Sequence, residues 1–160
     1  MGERGSTMRE FRPSLTIIRG LPGAGKTTRA KAIARERARP RLFSADDYFM
    51  VGGEYRFDPM QLPEAHGACI RAAIEAMSSF SVIVHNTFSQ RWEMEPYLSA
   101  ASERGIPVTV IDLFDGGFSD EILAARNEHG VPQGTVEKMR AAWEGNWWET
   151  DRRPPWERSF

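Results

Sequence analysis

The stretch from Gly20 to Thr28, GLPGAGKTT, has the residue types and spacing of a phosphate-binding loop. Its Gly-x4-Gly-Lys-Thr pattern supplies glycines that let successive backbone N–H groups turn toward phosphate oxygens. A helix expected directly after the loop adds the positive end of its dipole. The pattern places Lys26 at the β- and γ-phosphates and gives the Thr27 hydroxyl to Mg²⁺. We therefore predict a nucleoside triphosphate site whose contacts are Leu21, Pro22, Gly23, Ala24, Gly25, Lys26, Thr27 and Thr28.

Two adjacent carboxylates, Asp46 and Asp47, follow the second predicted strand and precede Tyr48. Opposite a phosphate loop, one carboxylate can accept the proton of an attacking hydroxyl or orient a water molecule. Neighbouring side chains of an extended segment point in opposite directions, so only one of the pair is expected to face the γ-phosphate. The alternative is that the two aspartates cap the following turn.

A polar run, His85-Asn86-Thr87, ends the third predicted strand. Asn86 and Thr87 can hydrogen-bond a hydroxyl or a phosphate but supply no charge. His85 is either a neutral donor in the site or a histidine satisfied at the strand end. Together with Asp47 and Tyr48, these three residues are the candidate substrate contacts.

Arg126 closes a predicted helix just before a glycine- and proline-containing turn. An arginine on a mobile helix pair can stabilise the charge that spreads over a transferring phosphoryl group. Alternatively it pairs with Asp120 or Glu121 on its own helix. We predict the first role, with Lys26, Asp46 and Arg126 as the catalytic set.

These residues need a scaffold, and the apolar runs indicate which one. Short β-branched runs predict four strands at residues 15–19, 41–43, 81–85 and 107–113. Helical patterns separate them, and two further helices follow the fourth strand. Strands joined by helical crossovers give a parallel α/β sheet, whose ligands lie at the carboxyl ends of the strands. We predict a P-loop kinase fold with strand order 2-3-1-4, flanking helices and a C-terminal helical lid.

Composition limits the classes of protein that remain. A chain of 160 residues with 41% hydrophobic and 27% charged residues is typical of one globular domain. We predict a flexible arm over residues 1–13, a kinase domain over 14–145 and a packed tail rich in Trp and Pro over 146–160. The net charge of −1 requires no nucleic acid or anionic membrane as partner. The basic residues along 29–41 are interpreted as a solvated helix face.

The sequence also indicates the cellular setting of the protein. The sequence has no apolar run long enough to cross a membrane and no signal peptide pattern. Cys69 is the single cysteine, and its helical setting among alanines predicts a buried small side chain. We therefore expect a cytoplasmic protein with no membrane partner. Protein partners are not indicated by the sequence.

Four motifs in order resemble the 5′-hydroxyl polynucleotide kinase family, most closely its small single-domain relatives described as AAA-family ATPases. They are the phosphate loop, Ser-Ala-Asp-Asp-Tyr-Phe at 44–49, Asn-Thr at 86–87 and Arg-Asn-x-His-Gly-Val-Pro at 126–132. Further similarity lies at 55–58, 64–66 and 92–97, so it spans residues 15–144. The resemblance implies ATP and Mg²⁺ at Lys26 and Thr27, Asp46 as general base and Arg126 as a lid arginine.

The chain departs from this family at several acceptor-binding positions. Phe49 stands where the phage enzymes have an arginine, and Asn86 where they have an aspartate. His85 and Phe88 replace an aspartate and an asparagine of the small relatives. The predicted acceptor is the 5′-hydroxyl of a single-stranded DNA or RNA end, with Trp92, Trp147 and Trp148 as stacking surfaces. A nucleoside or nucleotide kinase and a non-catalytic ATP-binding module are the alternatives.

Overall fold

A computed structural model describes residues 10–145. Its centre is a four-stranded parallel sheet of β1 (Ser14–Gly20), β2 (Pro40–Phe43), β5 (Ser81–Asn86) and β6 (Val108–Phe114). A small antiparallel hairpin, β3 (Met50–Val51) and β4 (Glu54–Tyr55), turns through Gly52 and Gly53. Gly52, Gly53 and Pro59 predict a loop in this segment, and the structure has a hairpin within it.

The sheet order is β2-β5-β1-β6, which is the predicted order 2-3-1-4 once the hairpin is set aside. β1 is central and pairs in parallel with both neighbours, Ser14 opposite Ser81 and Leu15 opposite Val108. Its side chains from Leu15 to Gly20 are all buried, as expected of a strand covered on both faces. The α/β fold class predicted from the sequence is confirmed.

Between residues 10 and 145, five α-helices connect and flank the strands. They are α1 (Lys26–Glu36), α2 (Leu62–Ala76), α3 (Glu95–Glu103), α4 (Asp120–Arg126) and α5 (Gln133–Ala141). The helical patterns of the sequence predict helices over residues 28–39 and 90–103, and the structure differs from both ranges. α1 ends at Glu36 because Arg37 is extended, leading directly into Pro40. The helix expected from Gln90 begins as the 3-10 turn Arg91–Met94 and becomes α-helical only at Glu95, next to Pro96.

Different helices cover the two faces of the sheet. Ile18 and Ile83 pack with Ala30 of α1 on one face. Leu15, Ile17, Val82 and Val84 pack with α2 and α3 on the other. Cys69 of α2 is buried there and its sulfur accepts a hydrogen bond from Tyr97 Oη at 3.2 Å, which confirms the predicted buried role.

α4 and α5 form the predicted helical lid and pack on a third, smaller core. Leu21 and Ala24 of the loop after β1 meet Leu123 and Val136 of the lid helices there. Arg140 of α5 anchors the pair, donating to Asp115 and Asp120 at 2.7 Å each and to the Phe118 carbonyl at 2.8 Å. The lid is therefore fixed to the carboxyl end of β6 and lies beside the phosphate loop.

The domain limits predicted from the sequence stay predictions. Residues 1–9 of the N-terminal arm and the tail 146–160, with Trp147 and Trp148, lie outside the described residues. Phe11, within the predicted arm, lies under the guanidinium of Arg39 at 5.0 Å. Within residues 10–145, no helix has the length and apolar character needed to cross a bilayer.

Candidate functional site

The loop from Gly20 to Gly25 joins buried β1 to the start of α1, as the motif predicted. Gly23 and Gly25 have φ angles of 84° and 102°, the left-handed region that glycine adopts without strain. Gly25 caps α1, so the loop ends at the N-terminus of an eleven-residue helix. Leu21 and Ala24 are buried, whereas Thr27 and Thr28 are exposed on the first turn of α1. Exposed hydroxyls at this point are available to a ligand above the loop.

Lys26 lies folded over the loop. Its Nζ donates to the carbonyl oxygens of Gly20 at 2.7 Å and Leu21 at 3.1 Å. Burial lowers the pKa of Lys26 to about 8 from its ordinary value of 10.5, and the nearby Asp46 carboxylate opposes that shift. An anionic ligand would replace the two carbonyls as partner of the ammonium group.

The lowered pKa of Lys26 predicts that ATP binding depends on pH. The triphosphate favours the charged amine, so binding above pH 8 must take up a proton. We expect the dissociation constant for ATP to rise with pH between about 8 and 10.5, by up to about tenfold per pH unit. Calorimetry in buffers of different ionisation enthalpy measures this proton uptake. Lys26→Arg, which stays charged, is the control, and an equal pH slope in both proteins would contradict the prediction.

The lid helix α4 lies directly against the phosphate loop at Gly23. A Cβ at this glycine would be 2.6 Å from the Leu123 carbonyl oxygen and 3.2 Å from the Asn127 nitrogen. Arg126 Nε donates to the Gly23 carbonyl at 3.0 Å, and its guanidinium lies 4.1 Å above the Phe118 ring. Arg126 thus contacts the loop rather than Asp120, whose carboxylate is bound by Arg140. Its position on the loop is compatible with the predicted contact to phosphate.

The structure separates the roles of the two adjacent aspartates. Asp47 caps the 3-10 helix Ala45–Phe49, because its Oδ2 accepts from the Ser44 N–H at 3.2 Å. Burial raises the pKa of Asp47. Asp46 instead lies between the hairpin and the lid. Its Oδ1 accepts from Tyr55 Oη of the hairpin at 2.9 Å, and its Oδ2 lies 3.4 Å from His129 Nε2 of the lid loop. The cap interpretation therefore holds for Asp47, and the catalytic role of Asp46 stays a prediction.

The remaining predicted substrate contacts differ in availability. Asn86 is buried, and its Oδ1 accepts from the Ala45 N–H at 2.8 Å and from Ser44 Oγ at 3.4 Å. Its amide therefore holds the Asp46 turn against β5. Tyr48 is exposed and donates to Glu64 Oε2 at 3.0 Å. Their substrate-binding roles stay predictions.

His85 and Thr87 lie at the carboxyl end of β5, beside the phosphate loop. Burial and the Lys26 charge lower the pKa of His85 to about 4, so its imidazole is neutral at ordinary pH. The Thr87 carbonyl accepts from the Gly20 N–H at 3.2 Å and fixes the start of the loop. The neutral state agrees with both sequence interpretations of His85, as a donor or as a satisfied strand-end residue.

Sequence reasoning did not find three residues that shape the site. Tyr55 and His129 both contact Asp46, and their rings lie 4.2 Å apart. Arg19, the residue before the loop, is fully buried and donates to the Phe88 carbonyl at 2.7 Å. Arg19 could have been identified from the sequence as a charged residue within an otherwise apolar strand. Tyr55 and His129 lie in stretches that resemble the kinase family, but nothing in the sequence of either stretch indicates that its residue contacts Asp46.

The arrangement defines a class of protein. A parallel sheet of order 2-3-1-4, a glycine loop ending in Lys-Thr and a helical lid over that loop are the P-loop kinase fold. A family model described as an AAA domain matches residues 15–145, which is most of the chain. The chain therefore belongs to that AAA domain family.

Two curated relatives are much longer than this chain. NEDD4-binding protein 2 of Homo sapiens is 34% identical over 128 residues, covering 78% of this chain but 7% of the relative. YLP motif-containing protein 1 of Rattus norvegicus is 26% identical over 164 residues, covering 85% of this chain and 12% of the relative. The chain thus spans only a small part of these relatives.

Solved structures share the fold. A chain of the Pnkp1/Rnl/Hen1 RNA repair complex has a TM-score of 0.64 at 18% identity, covering 85% of this chain and 46% of that chain. A gluconokinase from Sinorhizobium meliloti 1021 has a TM-score of 0.57 at 18% identity, covering 84% of this chain and 78% of the gluconokinase chain. At these identities the likeness concerns the fold, so membership of the 5′-hydroxyl polynucleotide kinases stays a prediction.

Proposed function

We propose that this chain is an ATP-dependent kinase that transfers the γ-phosphoryl group to a hydroxyl of its acceptor. The observation that carries the proposal is the position of Asp46, a partly exposed carboxylate near Lys26, held by Tyr55 and lying outside the cap formed by Asp47. A nucleotide-binding module without catalysis has no need for a partly exposed carboxylate near the lysine of the loop. The P-loop kinase fold and the AAA domain family support nucleotide binding.

The residues of the loop fit a triphosphate. The α1 N-terminus and the loop N–H groups provide donors for phosphate oxygens, and Lys26 provides the charge. Arg126 donates to the Gly23 carbonyl of the loop, and in the complex its guanidinium would donate to a phosphate oxygen instead. In this arrangement the triphosphate lies between the loop and the lid.

The donor set at the loop also fits Mg²⁺ bound together with a nucleotide. Such magnesium keeps several waters and needs one or two protein oxygens besides the phosphates. The exposed Thr27 hydroxyl would supply one. When bound, the ion neutralises negative charge on the phosphates.

Asp46 is the proposed general base. The acceptor hydroxyl gives its proton to the Asp46 carboxylate while its oxygen bonds to the γ-phosphorus and the bond from that phosphorus to the β-bridging oxygen breaks. ADP and the phosphorylated acceptor are the products. Arg126 and Lys26 stabilise the charge that spreads over the transferring group.

The proposed acceptor is the 5′-hydroxyl of a DNA or RNA end. The motif resemblance favours this acceptor. In addition, a chain of the Pnkp1/Rnl/Hen1 RNA repair complex has the same fold. Trp92 is 63% exposed and offers a surface for a stacked base. A small hydroxyl compound is the second candidate, favoured by the net charge of −1, because long nucleic acids are bound by strongly basic surfaces.

Transfer of labelled γ-phosphate tests the proposal. The protein, with ATP and Mg²⁺, is given a 5′-hydroxyl oligonucleotide in one assay and a mixture of nucleosides and nucleotides in another. We expect label on the oligonucleotide that Lys26→Ala abolishes. Label on small acceptors alone supports the second candidate. Wild-type transfer no greater than that of Lys26→Ala with every acceptor would contradict the kinase proposal.

A further inference from the structure

Asp46 lies between two aromatic side chains that come from separate parts of the chain. On one side the Tyr55 hydroxyl of the hairpin donates to Oδ1 at 2.9 Å. On the other side Nε2 of His129 lies 3.4 Å from Oδ2. The two rings lie 4.2 Å apart with an interplanar angle of 35°, so they also pack on each other. Both carboxylate oxygens of the proposed base are thus contacted.

His129 is held in place by the loop that joins α4 to α5. The Asn127 side chain donates to the Leu123 and Val131 carbonyls at 3.2 and 2.9 Å and accepts from the Val131 N–H at 2.8 Å. These bonds close the loop around His129 and tie it to the end of α4. The same helix end contacts the phosphate loop through Arg126. The position of the imidazole is therefore set by the position of the lid.

We propose that His129 is a positioning residue for Asp46 and links lid closure to the alignment of the base. This inference rests on the proposed function. With the lid on the phosphate loop, the imidazole and the Tyr55 hydroxyl fix the carboxylate from both sides, and a remaining lone pair takes the acceptor proton. With the lid displaced, Asp46 keeps only the Tyr55 contact and turns about its side-chain bonds. The base is then aligned only when the lid is in place.

A purely structural role for His129 predicts that His129→Ala lowers the melting temperature together with turnover. The side chains of His129 and Asp46 are 35% and 45% exposed, and contacts between such groups contribute little to folding. His129→Ala is therefore expected to fold with an unchanged melting temperature. A loss of turnover in this variant without a loss of stability identifies positioning.

The kinetic test compares three variants in the phosphoryl-transfer assay. We expect His129→Ala to lower kcat about tenfold while the dissociation constant for ATP changes less than about twofold. His129→Gln, whose amide can still donate to Asp46, should restore kcat to within about threefold of wild type. Glu128→Ala changes the exposed neighbour on the same loop and should leave kcat unchanged. Equal kcat values for His129→Ala and Glu128→Ala would overturn the inference.

The contact is measured independently by NMR of the imidazole groups. The chain has three histidines, and the His129 signal is assigned by its loss in His129→Gln. We expect Asp46→Asn to shift the His129 signal and to leave that of His66 unchanged. An unshifted His129 signal overturns the inference even if the protein is an active kinase. A shifted signal in a protein that transfers no phosphate supports the contact and overturns the proposed function instead.

Discussion

Asp46→Asn is expected to lower phosphoryl transfer by about 10² to 10⁴-fold, which is about 3–5 kcal/mol of transition-state stabilisation. The amide keeps the shape of the side chain and can still accept from Tyr55, whose hydroxyl is 2.9 Å from Oδ1. It cannot take a proton from the acceptor. Because Asp46 lies outside the phosphate loop, the dissociation constant for ATP should change less than about threefold. Steady-state transfer and direct ATP binding measure the two effects.

Asp47→Asn is the matched control for this experiment. The same chemical change falls on the next residue, whose carboxylate accepts from the Ser44 N–H and caps the 3-10 helix. We expect it to cost about 1 kcal/mol of stability, as cap losses do, and to lower turnover by less than about threefold. If Asp47→Asn reduced transfer more than Asp46→Asn, the assignment of the base would be wrong. If both variants kept wild-type turnover, neither carboxylate would be the base.

Arg19→Met is expected to destabilise the fold by about 3–5 kcal/mol. The guanidinium is fully buried and donates to the Phe88 carbonyl at 3.0 and 2.7 Å and to the Ser89 carbonyl at 3.3 Å. It also lies 3.4 Å from Asp112 Oδ2 and 4.1 Å from the Trp143 ring. Methionine fills most of the volume but removes these donors. The Asp112 charge, the buried Phe88 carbonyl and the partly buried Ser89 carbonyl then lose their contacts with the guanidinium, which is costly in a core.

Urea unfolding of three proteins checks this prediction. Arg35→Met makes the same substitution at an exposed position of α1 and should change the free energy of unfolding by less than about 0.5 kcal/mol. Arg19→Lys keeps the charge without the planar fork, so an intermediate loss is expected. A loss for Arg19→Met no larger than that for Arg35→Met would show that the buried arginine contributes nothing to stability.

Arg19 also links the lid to the strand that carries the phosphate loop. Trp143 follows α5 and packs on the guanidinium and, at 5.3 Å, on the Phe114 ring. Glu144 continues this contact, with its N–H donating to the Ser89 carbonyl and its carboxylate accepting from Arg91 Nε at 3.0 Å. Trp143 and Glu144 therefore tie the end of the lid to β1 and to the loop that follows β5.

The phosphate loop, the fold class and the strand order could all be predicted from the sequence. The loop is a local feature, because its glycines, Lys26 and Thr27 lie within one turn of the chain and the start of a helix. Helical crossovers between four apolar runs predict a parallel sheet, and the order 2-3-1-4, predicted together with the P-loop kinase fold, is the order observed. The buried state of Cys69 was equally local, given by the helical pattern of small residues around it.

Which polar groups face the site depends on how the separate elements pack. Asp46 and Asp47 are equivalent in sequence, and the Ser44 cap selects one of them for the fold. Asn86 lies at a strand end, where a substrate contact was predicted. Its side-chain oxygen instead accepts hydrogen bonds from the Ala45 N–H and from Ser44 Oγ. Tyr55 and His129 reach Asp46 from a hairpin and a lid loop far along the chain. Such contacts depend on how separate elements pack, and no spacing within one segment of sequence records them.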